Sequence, residues 1–258
     1  MCLILLSFDW HPRYPVVIAA NRDEFYNRAS SAASFWDDEP GILAGKDLVA
    51  GGTWFGITRS GRIAAITNYR EPGFHRMEAP SRGGLVAGYL RDTSSAEDYL
   101  EKLKPVAGSY NGFSIIAGTV LDLRYFSNRG GRVQKIAPGI HGLSNHLLNT
   151  AWPKVERGKR MLADILSGGR EVDPEDLFRM LADRWRPPDE SLPDTGIGLE
   201  WERILSSLFI TSPVYGTRSS TVLLVDREGQ VTFIEKVFNA EPEPLKVTRY
   251  VFEIEGAR

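Results

Sequence analysis

Two hydrophobic periods alternate along this chain and divide it into strand-rich and helix-rich tracts. Residues 2–6 are a continuous apolar run, extendable through Phe8, and such a run suits a strand covered on both faces. Residues 16–20 form a second. His11-Pro12-Arg13-Tyr14-Pro15 between them reads as a turn, punctuated twice by proline. A short turn implies an antiparallel pair. The end of the second strand then returns to the start of the first, which places Asp23 near Cys2.

Hairpin signals follow. Residues 41–44 and 48–50 flank Gly45-Lys46-Asp47, and residues 53–58 and 62–68 flank Ser60-Gly61. Residues 71–80 read as loop. From Ser81-Arg82-Gly83 the spacing of Leu85, Val86, Tyr89 and Leu90 is helical. Ser94 and Glu97 have the spacing of a capping box for a helix reaching Leu103. Strands are predicted again at 113–118, 121–127 and 132–136, and residues 139–143 lead into Ser144-Asn145-His146. Residues 152–166, with Pro153 in the first turn, and 174–185 are amphipathic helices. Residues 186–199, rich in Pro, Asp and Gly, read as an ordered excursion or a mobile loop before a short helix at 201–208. Strands at 219–226, 230–236 and 246–254 close the chain. Strands at both ends with helices grouped between them predict an α+β layered fold rather than a doubly wound parallel one. No repeat or linker interrupts the pattern, so one domain over 1–258 is expected.

Composition narrows the function classes. The net charge is −2 in 258 residues, which gives no footprint for nucleic acid or an anionic membrane surface. No stretch approaches the ~20 apolar residues of a membrane span, and the first apolar run is too short for a signal-peptide core. The chain has one cysteine, which excludes an internal disulfide and a multi-cysteine zinc site and fits a reducing, cytoplasmic setting. The histidines His11, His75, His141 and His146 match no zinc spacing.

That one cysteine is Cys2, directly behind Met1. Removal of Met1 would leave a thiol and a free α-amine on one residue. The amine, with an ordinary pKa of about 7.7–8.0, can take the proton of a thiol whose ordinary pKa is about 8.5. Such a nucleophile needs no histidine. The alternative is a buried, inert cysteine opening a strand.

Further motifs follow in order: Asn21-Arg22-Asp23-Glu24, Gly51-Gly52-Thr53-Trp54-Phe55-Gly56, Thr67-Asn68-Tyr69-Arg70, Ser81-Arg82-Gly83, Leu143-Ser144-Asn145 and Gly216-Thr217-Arg218-Ser219-Ser220-Thr221. Over essentially the whole chain they resemble the NRDE family, also called the transport and Golgi organisation protein 2 family. That family in turn resembles the N-terminal nucleophile hydrolases of the choloylglycine hydrolase and penicillin V acylase branch. The resemblance implies a four-layer αββα sandwich and a mature N-terminal cysteine. It makes Cys2 the nucleophile, with Asp23 beside it at the end of the second strand. It marks Asn68 and Asn145 as the oxyanion donors, with the Tyr69 backbone N–H as an alternative to Asn68. Arg218 is expected to pair with Asp23 or to hold a substrate anion. Those hydrolases carry an arginine three residues before the aspartate, where this chain has Ala20.

Asn21, Arg22, Glu24, Trp54 and Tyr69 complete the candidates as substrate-binding residues. For Asn21 a structural role in a turn is the competing reading, and for Arg22 and Glu24 an exposed ion pair. Two functions are compatible with this set. One is a cysteine-dependent amidohydrolase or acyltransferase that acts on a small-molecule amide or acyl thioester and requires no cofactor. The other is a non-catalytic carrier or chaperone for haem, acyl-coenzyme A or a related amphipathic metabolite, for which His75 or Cys2 would ligate the haem iron.

Overall fold

The structure, a computed structural model, describes residues 2–240 and 243–256. Met1, and with it the expected removal of that residue, lies outside the described residues. β1 (Cys2–Phe8) and β2 (Val16–Phe25) pair antiparallel, with Cys2 opposite Arg22. β2 continues past residue 20, so Asn21-Arg22-Asp23-Glu24 lies inside a strand and not in a turn after it. β3 (Ser30–Phe35), β4 (Ile42–Asp47), β5 (Phe55–Thr58) and β6 (Ile63–Asn68) follow. α1 (Gly83–Arg91) and α2 (Ala96–Leu103) precede β7 (Phe113–Gly118), β8 (Leu123–Ser127), β9 (Gln134–Lys135) and β10 (Gly139–Leu143). α3 (Pro153–Leu166), α4 (Pro174–Leu181) and α5 (Leu199–Ile204) lead into β11 (Tyr215–Val225), β12 (Gln230–Val237) and β13 (Lys246–Glu253).

The strands form two antiparallel sheets, ordered β10-β1-β2-β11-β12-β13 and β3-β4-β5-β6-β7-β8-β9. Alternation along β1 explains its uninterrupted apolar run. Ile4 and Leu6 face the second sheet, in a core with Leu43, Phe55 and Ile63. Leu3 and Leu5 face the other way, against Val155 and Leu162 of α3 and Leu177 of α4. Leu85, Val86 and Leu100 of α1 and α2 cover the outer face of the second sheet at Ala64, Ile66 and Ile115. The layers are therefore helix, sheet, sheet, helix, as expected for an αββα sandwich.

Local hydrogen bonding accounts for the departures from the pattern. Residues 48–50, expected as a strand, form a turn. Asp47 Oδ1 accepts from the N–H groups of Val49 (2.9 Å) and Ala50 (3.2 Å), which offers the backbone an alternative to a ladder. The helix cap lies one residue later than expected: Ser95, not Ser94, accepts from the Asp98 N–H at 3.0 Å. β3 has no apolar alternation and is formed by its pairing with β4. The last helix ends at Ile204, not 208, and the buried Lys154 amine takes the carbonyls of Leu205 (3.0 Å) and Ser207 (3.5 Å).

Candidate active site

Cys2 sits where β1 begins, at the rim of the inter-sheet space. It opens onto a cleft of about 300 Å³ whose lining includes Arg22, Asp23, Trp54, Asn68 and Arg82. The antiparallel register brings β2 back to this rim, and the Asp23 backbone N–H donates towards the Cys2 sulfur. Burial nevertheless pushes the thiol pKa up from its ordinary value. Any nucleophilic use of this sulfur would need a base to take its proton.

Asp23 is fully buried. Its Oδ1 accepts from the Thr217 hydroxyl at 2.7 Å, and its carbonyl accepts from the Tyr215 hydroxyl at 2.8 Å. Burial raises the carboxyl pKa, and the charge of Lys154 opposes that rise. Lys154 enters from the first turn of α3. Burial lowers its amine to about 8, with Asp23 opposing. A buried acid and a buried base thus influence one another on the helix side of the sheet, behind Cys2.

The two asparagines divide the role assigned to them. Asn145, fully buried, donates from Nδ2 to the Asn68 carbonyl at 3.0 Å, and its own carbonyl accepts from the Arg70 N–H at 2.8 Å. It does not line the cleft and instead positions Asn68. Asn68 does line the cleft, and its side-chain amide makes no hydrogen bond among the described residues. The Tyr69 N–H donates to the Gly112 carbonyl at 2.8 Å, so it cannot serve as the expected oxyanion donor. The Tyr69 hydroxyl meets His146 Nε2 at 2.6 Å, outside the cleft.

Arg218 corrects its expectation most clearly. The β11–β2 register shifts between Thr217 and Ser219, and this bulge re-aims the intervening side chain. Arg218 Nη1 donates to the carbonyls of Phe25, Tyr26 and Arg28 at 3.0, 2.8 and 3.2 Å, tying the β2–β3 turn. Thr217, not Arg218, meets Asp23. Asn21 is likewise structural. It donates to the Leu181 and Leu208 carbonyls at 2.9 and 2.8 Å and accepts from Ser220 at 2.6 Å.

Arg22, Glu24 and Trp54 do reach the cleft. Arg22 Cζ lies 4.2 Å from the Trp54 ring centroid. Arg22 shares a strand face with Ala20, so its guanidinium enters the same inter-sheet space as an arginine at position 20 would, one strand repeat nearer the rim. Glu24 Oε1 accepts from the Phe25 N–H at 3.0 Å, and its other oxygen faces Arg28 at 3.7 Å.

Three further residues belong to the site. Thr217 and Arg82 lie within sequence motifs that carried a signal without a role. Lys154 left no signal, because a lysine in the first turn of an amphipathic helix reads as solvated. The close approach behind Arg82 depends on glycine: Gly52 has φ of 77°, and the Thr53 N–H donates to the Gly83 carbonyl at 3.2 Å.

Comparison with known proteins bears on the family and the fold. The sequence model of the family "Transport and Golgi organisation 2" matches residues 1–240. A Transport and Golgi organization protein 2 homolog from Bos taurus is 38% identical, over 99% of this chain and 100% of that one. Among solved structures, a mutant of the conjugated bile acid hydrolase from Clostridium perfringens superposes with a TM-score of 0.53 at 9% identity, covering 97% of this chain and 92% of its own. A Caenorhabditis elegans ortholog of N-acylethanolamine-hydrolyzing acid amidase gives 0.50 at 10% identity, covering 86% and 92%. At such identities the likeness is one of fold, that of the N-terminal nucleophile hydrolases.

Proposed function

This chain belongs to the Transport and Golgi organisation 2 family, and from that premise we propose that it is an N-terminal cysteine hydrolase acting on a small-molecule amide or acyl thioester in the cytoplasm. The observation that carries the reading is the placement of the single cysteine at an open cleft beside Asp23 and Asn68. After removal of Met1, the Cys2 α-amine takes the thiol proton. The sulfur then bonds to the carbonyl carbon, and the carbonyl π pair moves onto oxygen, where the Asn68 amide donates to it. Collapse expels the amine or thiol leaving group, which takes the proton from the α-ammonium. Water cleaves the resulting thioester, releasing the acid and restoring the Cys2 thiol. Asp23, held by Thr217, stabilises the ammonium form of the amine. Asn145 holds the backbone of Asn68 and touches no reacting atom.

One observation favours a second reading, a carrier for haem or acyl-coenzyme A without turnover. Asn145 is spent on the Asn68 carbonyl, which leaves the oxyanion with one side-chain donor from the expected pair. In this reading His75 or Cys2, both of which line the cleft, would hold the haem iron.

Intact mass of the native protein, before and after one equivalent of a thiol-directed acylating probe, separates the two. Loss of Met1 with rapid single labelling, together with abolition of turnover of acyl amides or thioesters in Cys2→Ala, is the expected result. Retained Met1, or a processed but inert Cys2 with saturable binding of haem or acyl-coenzyme A, would leave the carrier.

A further inference from the structure

The cleft holds more positive charge than its own carboxylates neutralise. Its lining includes Arg22, Arg28, Arg76 and Arg82 against Asp23, Glu24 and Asp47. Asp23 is engaged by the Thr217 hydroxyl and the charge of Lys154, and the other two carboxylates are taken by Arg28: Asp47 Oδ2 accepts from its Nε and Nη2 at 3.0 and 2.8 Å, and Glu24 faces it at 3.7 Å. Arg76 is spent on the carbonyls of Gly108 and Tyr110. Arg22 and Arg82 remain.

Arg22 is the decisive residue. It is only 6% exposed, yet among the described residues it has no ion pair. It lies over the Trp54 ring and meets the Ser30 hydroxyl at 3.5 Å, the outer limit of a hydrogen bond, and its charge acts on the buried carboxyls of Asp23 and Glu235 without closing to an ion pair. Glu235, buried nearby, makes no ion pair with it among the described residues. Its oxygens accept from the Ala33 N–H at 2.7 Å and the Thr221 hydroxyl at 3.4 Å, and burial pushes its carboxyl towards the neutral acid. A buried cation without an anion is costly unless the partner arrives from outside. Arg82, on the opposite wall at the start of α1, donates to the Gly112 carbonyl at 2.9 Å and pairs with no carboxylate among the described residues. An aromatic face under a guanidinium leaves its in-plane donors free for planar recognition. Arg22 is directly opposite Cys2 across β1 and β2, where facing Cβ atoms stand about 5 Å apart.

We infer that Arg22 and Arg82 form an anion subsite, so that the acyl substrate carries a carboxylate or phosphate close to its reacting carbonyl. The inference rests on the hydrolase reading for the identity of that carbonyl. The subsite itself is open to test without turnover.

Alkylation of Cys2 by anionic iodoacetate and by neutral iodoacetamide reads it directly. In wild type iodoacetate should react faster relative to iodoacetamide than it does with a free cysteine peptide. That ratio should fall about tenfold in Arg22→Gln and again in Arg82→Gln, the scale of one hydrogen bond to a charged group. The Arg22 charge also lowers the Cys2 thiol pKa, so both rates should fall in Arg22→Gln, but that shared loss of thiolate cancels in the ratio. Arg82→Gln lies outside the sheets and guards against a folding defect in Arg22→Gln. Inorganic phosphate and succinate serve as competitors: protection by phosphate alone identifies a phosphoryl group, and protection by succinate alone a carboxylate. Equal reagent ratios in wild type and both variants would overturn the subsite. If Cys2 resists both reagents, calorimetric titration with phosphate and succinate decides. Saturable binding lost in Arg22→Gln supports the subsite, and no binding to wild type overturns it. Failure of turnover with a positive ratio would instead count against the hydrolase reading alone.

Discussion

Two asparagines adjacent in space do different work at this site. Asn68 presents its amide to the cleft, whereas Asn145 satisfies the Asn68 carbonyl from behind. Asn68→Ala should therefore lower kcat by about 10²–10³ with an unchanged melting temperature, as loss of an oxyanion donor does. Asn145→Ala should remove the partner of the half-buried Asn68 carbonyl and lower stability by about 1–3 kcal/mol, measured by urea denaturation. Equal effects of the two on stability would remove the distinction. The candidate residues were legible in the sequence because their motifs are contiguous. Their roles were not, because a motif does not say which way an amide points. The same limit explains Arg218, which a bulge turns away while its neighbour Thr217 takes Asp23.

At the scale of elements, the start of α3 and the β4–β5 turn set the walls of the site. Lys154 is held at about 8 in the fold, against an ordinary value near 10.4 in the unfolded chain. Between these values the unfolded state binds more protons, so stability rises with pH. The burial penalty is fully present below pH 8 and is relieved by pH 10.4, a change of about 3 kcal/mol. Denaturation midpoints of wild type should therefore rise from pH 7 to pH 10 relative to Lys154→Met. Parallel midpoints would show that the amine is not perturbed. Gly52 is the corresponding point on the other wall. A Cβ there would overlap the Gly83 carbonyl group, and φ is already left-handed. Gly52→Ala should cost about 1–2 kcal/mol from backbone conformation alone, and more from the overlap, read as a lower melting temperature.

Across the whole molecule, the segment 186–199 is bound to the body of the fold by a buried ion pair. Glu202 accepts from Arg70, and its other oxygen accepts from the Thr195 N–H at 3.0 Å and from the Thr195 hydroxyl. Arg70 in turn lies over the Trp152 ring, 4.8 Å from its centroid. These contacts tie one point of this Pro-rich stretch, Thr195, to the helix that follows it. Removing one partner of a buried pair typically costs 3–5 kcal/mol, so Glu202→Ala should lose about that much. Amide exchange in 186–199 should accelerate more than elsewhere. Uniform acceleration along the chain would show that the pair does not tether this segment.

By itself the sequence determined the two periods, and with them most of the strands and helices and that they stack in layers. Periodicity is a local property, and burial on one face or two is written into it. It also determined that Cys2 and the Asn21-Arg22-Asp23-Glu24 motif meet, because a short turn leaves adjacent strands little choice but to pair. Only the tertiary structure decided what surrounds them. Lys154 comes to Asp23 from α3, far along the chain, and Arg82 comes from the start of α1, across the inter-sheet gap. Such contacts depend on how layers stack and where a bulge falls, which no local pattern encodes. Trp54 under Arg22, and the absence of an ion pair to that guanidinium among the described residues, emerge at the same scale.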